Sequence, residues 1–567
     1  MKVSLEWLRE YVDIPESAEQ IVEMLANAGL PCESIEQFGA DTVIDVEVTS
    51  NRPDCLCHIG IAREIAAVTR RKLSLPEVRL DESDRAADGL ASVRIDSPGL
   101  CGRYTARVIE GVKVGATPDW MRRRLEAVGQ RSVNNIVDAT NYAMLETGQP
   151  PHAFDYQAIR GRKIIVRKAL AGERLTSIDG TVCVLQNDML IIADAEGPVA
   201  IAGVMGGIDT EVNDSTTSVL LEDAYFDPVA GRTTSRKLGL PSEAAYRFEC
   251  TVDITNIDWA SRRTAQLITM VAGGKAARGV VDAYPAAARP HKVAVRLARI
   301  RHLLGIEVPC RQAMDILSSL GFEPARNGET IECTIPSWRR SDVTREADLI
   351  EEIVRIWGYG KVPTGNKITI EVAPPDSRHL FVSRAGMFLN ACGFFETVNV
   401  TFVDPVIAQI FGGAAAEALS VREELRKGAN ILRDNLIGSL VQALRLNMNM
   451  KNRPCKIFEI AATFKSRSGQ LPEEKLKLGL VCDADMRILR GAVEGLAKML
   501  NRNAGLTFVP TKLPWAGIAA EIAVGGNVIG CAGMLDRLVL DKVGIDASAV
   551  CAAELDCSML MNLESGP

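Results

Sequence analysis

Five carboxylates crowd the segment Asp342-Val-Thr-Arg-Glu346-Ala-Asp348-Leu-Ile-Glu351-Glu352. On a helix, Asp348, Glu351 and Glu352 stand three and four residues apart and share one face. Asp342 lies at or just before the first turn and can reach back toward that face. Like charges packed this closely repel unless something neutralises them, and hard cations such as Mg²⁺ take oxygen ligands of this kind. The same pattern suits an acidic first turn that complements the helix dipole and leaves its other carboxylates in water. Spacing leaves both readings open.

A second set is spread through the first half of the chain: Arg131-Ser132, Asn141-Tyr142, Gln149-Pro-Pro-His152-Ala-Phe-Asp155, Gly206-Gly207, Glu222 and Ser242-Glu-Ala244. His152 follows two prolines, which places it in a rigid turn rather than on an apolar helix face. A lone loop histidine also reads as an inert hydrogen-bonded group. Glu222 ends the apolar run Val219-Leu-Leu, where a carboxylate is costly unless paired. Arg232, Arg236 and Arg247 are the partners the sequence offers it. Gly203, Gly206 and Gly207 lack the strand–GxGxxG–helix order of a dinucleotide site, so they read as a tight loop where the backbone approaches something closely.

The elements that must position these residues follow from pattern. Residues 1–85 read as two amphipathic helices, with Leu5, Leu8 and Val12 on one stripe and Ile21, Met24, Leu25 and Leu30 on another. A strand at Thr42–Val48 and a third helix from Ile59 follow. Asp81 to Asp88 reads as an acidic linker. Residues 95–286 alternate short strands, such as Ala106–Glu110 and Lys163–Arg167, with helices such as Pro118–Val128. Residues 287–363 form a small α+β module with a strand at Lys292–Arg296, a helix from Arg311 to Leu320 ended by Gly321, and a turn at Asn327-Gly328. A second linker spans 364–375. Residues 376–567 alternate helices and strands, with Leu436, Leu440 and Leu444 on one core face and Lys475–Val481 alternating like a half-buried strand.

At 567 residues the length suggests about four domains. With 47% hydrophobic and 24% charged residues, each can bury a core. A net charge of −7 argues against binding nucleic acid by overall electrostatics alone. The fourteen cysteines form no CxxC, and Cys55-Leu-Cys57-His58 lacks zinc spacing, so reduced thiols are expected. Neither a signal-peptide core nor a run of 18 apolar residues occurs, which points to a cytoplasmic chain without a membrane partner.

The stretch from Pro336-Ser-Trp338 through Asp342, Asp348, Glu351 and Glu352 to Gly358-Tyr359-Gly-Lys-Val-Pro363 resembles the magnesium-binding segment of the bacterial phenylalanyl-tRNA synthetase β subunit. The resemblance implies that Asp342, Asp348, Glu351 and Glu352 hold a Mg²⁺ shared with the catalytic α subunit. Asn134 through Phe154, the Met205-Gly-Gly loop and Val219 through Asp253 resemble that family's editing module. Arg131, His152, Gly206, Glu222, Ser242 and Ala244 match its editing-pocket positions, with serine at 242 where many members carry threonine. Thr49-Ser-Asn-Arg-Pro-Asp-Cys-Leu, Asn390-Ala-Cys-Gly-Phe-Phe-Glu-Thr, Leu432-Arg-Asp-Asn-Leu and Lys456-Ile-Phe-Glu-Ile fit the family as well.

The architecture implied is α+β and multidomain: an N-terminal domain, an editing domain, a winged-helix-like module and an inactive class II synthetase-like antiparallel-sheet domain. Arg433 is a poor ATP clamp, and its neighbours suggest packing. The implied function is that of the non-catalytic subunit of an α₂β₂ ligase. There the α subunit uses ATP to attach phenylalanine to its tRNA, while this chain scaffolds it and hydrolyses mischarged tyrosyl-tRNA. Glu222 would read the tyrosine hydroxyl, His152 would orient a water or the terminal ribose, and Gly206 and Ala244 would limit pocket size. Two departures stand out. Only Ile35 to Asp41 fills the place of the family's oligonucleotide-binding barrel, and the sequence stops at Pro567, where its ferredoxin-like anticodon-binding domain would begin. A free-standing hydrolase of mischarged tRNA would need only residues 95–286. A nucleic-acid-binding regulator should show a basic recognition helix, whereas the most recognisable helix here is acidic.

Overall fold

A computed structural model describes residues 1–412, 418–422 and 427–564. The chain divides into two compact units, Met1–Lys367 and Ile368–Pro567. The elements mix helices with mainly antiparallel sheets, the α+β class expected.

In the first unit, the N-terminal segment builds a three-stranded sheet in which Asp41–Val46 pairs with both Lys2–Ser4 and Cys32–Phe38. Helix Ala18–Asn27 packs on it, started by a reciprocal Ser17–Gln20 capping box. The expected helical stripe through Val12 shrinks to Leu5–Leu8. Strand Cys32–Phe38 was missed because it is an edge strand, mostly exposed on both faces, so its sequence shows no apolar alternation. A turn at Gly39, with φ +61°, joins it directly to the next strand. The supposed linker 81–88 contains another polar edge strand, Glu82–Ala86, parallel to Lys275–Arg278.

Two sheets face each other in the middle of this unit. One runs in the order Glu82–Ala86, Lys275–Arg278, Cys101–Glu110, Ser218–Phe226, Pro151–Asp155. The other runs Met205–Gly206, Pro198–Ile201, Leu190–Ala193, Lys163–Lys168, Ser92–Ile95. Strand Ser218–Phe226 is hydrogen-bonded on both edges and splits its side chains by period two. Leu220, Ala224 and Phe226 join Tyr104, Phe154, Val166 and Ile192 between the sheets. Val219 and Leu221 join Ile109, Ile136 and Leu267 beneath helices Asn135–Thr147 and Ile257–Ala272.

The following module carries the sheet His291–Arg296, Thr330–Ile335, Glu323–Asn327, packed by helices Leu297–Leu304, Cys310–Ser319 and Glu346–Trp357. Gly321 takes φ +86°, and a Cβ there would meet the Trp338 ring at 2.7 Å, so the helix stop is also a packing contact.

The second unit is a seven-stranded sheet, antiparallel except where Phe395–Glu396 joins Lys456–Lys465. Helices Ser377–Ala391 and Met486–Leu500 pack one face. Helix Ile437–Asn449 packs the other, with Leu436, Leu440 and Leu444 wholly buried as expected. Strand Glu473–Cys482 is buried on both faces from Leu478 onward rather than half-buried, because it is central and helices cover both sides. Arg433 is buried against Glu459 at 3.0 Å, a packing role. All fourteen cysteines are unpaired, and no helix of the described residues is long and apolar enough to cross a membrane.

One polar anchor fixes the N-terminal segment on helix Asn135–Thr147. The wholly buried Glu146 accepts from Tyr11 Oη at 2.7 Å and from Arg263 Nε at 2.7 Å and Nη2 at 2.9 Å. The Trp7 ring stacks on His58 and Tyr142 at 3.9 and 4.1 Å. Arg263→Met would strand that carboxylate without its counter-charge, and should lower the unfolding free energy by about 3–5 kcal/mol in urea titrations.

Candidate functional site

Strand register does the first work: Glu222 lies directly opposite His152 on the neighbouring antiparallel strand. Such pairs share a face, with Cβ atoms about 4.5–5.5 Å apart. The face is the one between the two sheets, where Tyr104 donates its hydroxyl proton to Glu222 Oε2 at 2.9 Å. Glu222 is 5% exposed, and burial lifts its carboxyl to about 8, the Tyr104 bond pulling the other way. It is therefore largely protonated at neutral pH. The expected arginine partners are engaged elsewhere, Arg232 and Arg236 with Glu249, and Arg247 with Glu243. The ion-pair reading of Glu222 is thus overturned, since a carboxyl kept neutral by burial needs no counter-charge.

His152 packs edge-on against Phe154 at 4.4 Å, and its Nε2 is enclosed without a hydrogen-bond partner. Burial lowers its imidazole to about 4, so the ring is neutral at pH 7. Gly206 explains the close approach anticipated for the glycine loop: a Cβ there would stand 2.6 Å from His152 Cε1 and 2.8 Å from Ile178 Cδ1. Ser242 caps helix Glu243–Cys250 by accepting from the Ala245 N–H at 3.0 Å, and donates to the Val204 carbonyl at 3.0 Å. It thereby ties this helix to the glycine loop. Ala244 sits half-buried in the helix's first turn. Arg131 is exposed in the connection between helices Asp119–Ala127 and Asn135–Thr147. No hydrogen bond or ion pair among the described residues ties it to the other five. Sequence reasoning missed Tyr104, whose only signal was a phenol inside a buried strand.

The acidic set occupies helix Glu346–Trp357 and the turn before it. Asp348 Oδ2 accepts from the backbone N–H groups of Thr344 and Arg345 at 2.9 and 2.7 Å, a helix-capping role. The Arg339 guanidinium lies between Asp342, at 2.9 Å, and Glu352, at 2.8 Å. Arg355 joins Glu352 to Glu64, and Arg52 joins Glu64 to Asp54. Burial opposes ionisation of Glu352, but Arg355 and Arg339 outweigh it and hold the carboxyl down at about 2. For Asp342 burial wins over Arg339 and raises it. Glu351 is exposed, and no ion pair among the described residues engages it.

A cavity of about 750 Å³ is bordered by Asp342, Asp348, Glu351 and Glu352 together with Arg345 and Tyr359. The four carboxylates therefore share a cavity but do not converge as a chelate. Among the described residues, the one trio of ligand atoms within 4.8 Å of one another is Asp54, Cys55 and Glu64, which Arg52 neutralises. In donor type the set suits a divalent cation. At the border of the cavity the carboxylates of Asp342, Asp348, Glu351 and Glu352 are matched in number by the guanidinium groups of Arg52, Arg339, Arg345 and Arg355, and Glu351 is the exposed member of the set. Magnesium commonly retains several waters and takes only one or two carboxylates directly. Sequence reasoning missed the arginines: several have an acidic partner within three residues, but the series closes only through Arg355 and Glu64, 291 residues apart.

Comparison with known proteins adds to this geometry. Residues 100–273 match a family model described as B3/4 domain, and 293–359 one described as tRNA synthetase B5 domain. Residues 363–557 match one described as phenylalanyl tRNA synthetase beta chain CLM domain. The phenylalanine–tRNA ligase beta subunit of Rhodopirellula baltica is 40% identical over 99% of this chain and 84% of its own length. The chain belongs to the phenylalanine–tRNA ligase beta subunit family. The beta subunit of Moorella thermoacetica is 37% identical over 96% of this chain and 70% of its own, and that of Syntrophus aciditrophicus is 37% identical over 93% and 68%.

Within this beta-subunit chain the four acidic residues carry unequal structural loads. Glu352→Gln would leave Arg339 and Arg355 buried and short of charge, and should cost about 3–5 kcal/mol of stability. Glu351→Gln, on an exposed side chain, should stay within about 0.5 kcal/mol of the parent. Thermal unfolding of the two variants side by side checks this.

Proposed function

We propose that this chain is the β subunit of a phenylalanine–tRNA ligase, assembled with a catalytic α subunit as α₂β₂ and acting on tRNA for phenylalanine. In this reading the α subunit uses ATP to activate phenylalanine, and this chain scaffolds it and clears tyrosine misattached to the tRNA. The observation that carries the ligase reading is the 40% identity over 99% of the chain to a beta subunit. The second unit, with its own sheet and two apolar cores, speaks against a free-standing hydrolase, which would have no use for it.

The clearing reaction is hydrolysis of an ester. A water oxygen bonds to the ester carbonyl carbon, the ribose oxygen leaves, and the water's proton ends on that ribose oxygen. This needs an oriented water and a pocket that recognises the wrong side chain. Glu222 would bond the phenol that phenylalanine lacks, and a site built to bond a hydroxyl disfavours the analogue without one. His152, across the ladder from Glu222, would orient the water or a ribose hydroxyl. Its lowered basicity suits orientation rather than proton abstraction. Gly206 leaves the room beside that ring, and Ser242 fixes the loop that carries it. Ala244 would line the pocket from the helix, and Arg131, exposed, would meet the tRNA backbone.

Asp342, Asp348, Glu351 and Glu352 would hold the Mg²⁺ shared with the α subunit, and the ion would supply positive charge at that junction. Glu351 is the member with no competing ion pair, and the arginines already steady the others.

Two measurements test the parts separately. In the assembled enzyme, Glu222→Ala should let tyrosyl-tRNA accumulate while phenylalanine attachment continues. Deacylation of tyrosyl-tRNA at the parent rate would refute the role of Glu222. Glu351→Gln should fold as the parent does but need more Mg²⁺, about tenfold, for half-maximal association with the α subunit. An unchanged Mg²⁺ titration would overturn the metal reading.

A further inference from the structure

Glu222 poses a geometric problem for the function just proposed. A carboxyl can select a phenol sharply only if it is held still, and most buried carboxylates are held by a cation. None pairs with Glu222 among the described residues. The groups facing it are the Cys101 thiol and Tyr104 phenol from strand Cys101–Glu110, and His152 from strand Pro151–Asp155. Asp223 is its neighbour on its own strand, a wholly buried carboxyl on the opposite face without a hydrogen bond.

Of these groups, Tyr104 alone bonds Glu222. It is itself completely buried, and its backbone lies opposite Ala224, two residues along from Glu222, so the ring reaches the carboxyl diagonally across the ladder. The bond goes to Oε2. Oε1 accepts no hydrogen bond, yet it is not among the enclosed unpartnered atoms, in contrast to His152 Nε2. One oxygen is thus tethered by the phenol, and the other is neither hydrogen-bonded among the described residues nor fully enclosed.

We propose that Tyr104 is a specificity-positioning residue for tyrosyl-ester clearance: its phenol engages Oε2 of Glu222 and so presents Oε1 alone to the phenol of the substrate. The inference rests on the editing reading above. Tyr104 is chemically the same group as the side chain to be recognised, so it fills one acceptor position and leaves a single place for the second phenol. With Oε2 accepting, a carboxyl proton resides on Oε1, where it donates to the substrate's phenolic oxygen. Without the tether neither carboxyl oxygen is fixed as the one that meets the substrate's phenol.

The test uses the assembled α₂β₂ enzyme with Tyr104→Phe, which keeps the buried ring and removes only the donor. Tyrosyl-tRNA deacylation should lose about tenfold or more in kcat/KM, largely through KM, while the slow deacylation of phenylalanyl-tRNA stays unchanged. The bond favours the ionised carboxylate, so its loss should also move the alkaline limb of the pH–rate profile to higher pH. A packing role for Tyr104 would not move that limb. In the Glu222→Ala background, Tyr104→Phe should add nothing, because its effect runs through Glu222. If Tyr104→Phe fails to fold, 3-fluorotyrosine at position 104 preserves the shape with a stronger donor, and the limb should move to lower pH. A parental KM and pH profile in Tyr104→Phe, or an unmoved limb in the fluorinated protein, overturns this inference while Glu222→Ala still abolishes clearance. If Glu222→Ala itself has no effect, the editing reading falls, and this inference with it.

Discussion

The double pairing of strand Ser218–Phe226 is the constraint on which the candidate site depends. Hydrogen-bonded to Cys101–Glu110 on one edge and Pro151–Asp155 on the other, the strand cannot slip by one residue without turning Leu220 and Ala224 out of one core and Val219 and Leu221 out of the other. That fixed register sends Glu222, rather than Asp223, to the face shared with His152 and Tyr104. The two neighbouring acids accordingly meet different surroundings. Glu222 has a phenol donor, whereas Asp223 lies beneath helix Ile257–Ala272 near Arg107 and Ser261.

A buried carboxyl that no cation compensates remains neutral near pH 7, and a neutral imidazole stands across from it. In the proposed editing role the pair would work through hydrogen bonding and shape more than through charge. This matches an ester hydrolysis in which the substrate supplies its own leaving group and the protein contributes orientation. Serine at 242 retains the hydroxyl that both caps a helix and grips the glycine loop, so loss of the threonine methyl leaves the architecture of the loop intact.

The acidic helix follows the opposite electrostatic logic. Its inner carboxylates are held by guanidinium groups shared in series, Asp342–Arg339–Glu352–Arg355–Glu64–Arg52–Asp54. Arginine suits this because its planar fork can meet two carboxylates at once. The series clamps the polar loop at 52–54 and helix His58–Thr69 against the module that carries helix Glu346–Trp357. The fold of this unit thus draws on internal cations.

Patterns of local chemistry were legible in the sequence alone. The acidic helix, the glycine stop at Gly321, the Asn327-Gly328 hairpin, the leucine face of helix Ile437–Asn449 and the close approach at the glycine loop are all set by neighbours a few residues away. Family resemblance in the motifs around Asp342 and Gly206 extended that reading to an expected partner set, and overall identity to named beta subunits upheld the family. Tertiary structure alone decided the rest. Polar edge strands Cys32–Phe38 and Glu82–Ala86 exist because a partner strand supplies their hydrogen bonds, which no side-chain pattern announces. Arg355 lies 291 residues from Glu64, and Tyr104 lies 118 from Glu222. Whether a carboxylate is paired, protonated or open to solvent depends on such distant groups, because burial and counter-charge belong to the folded neighbourhood and not to the residue.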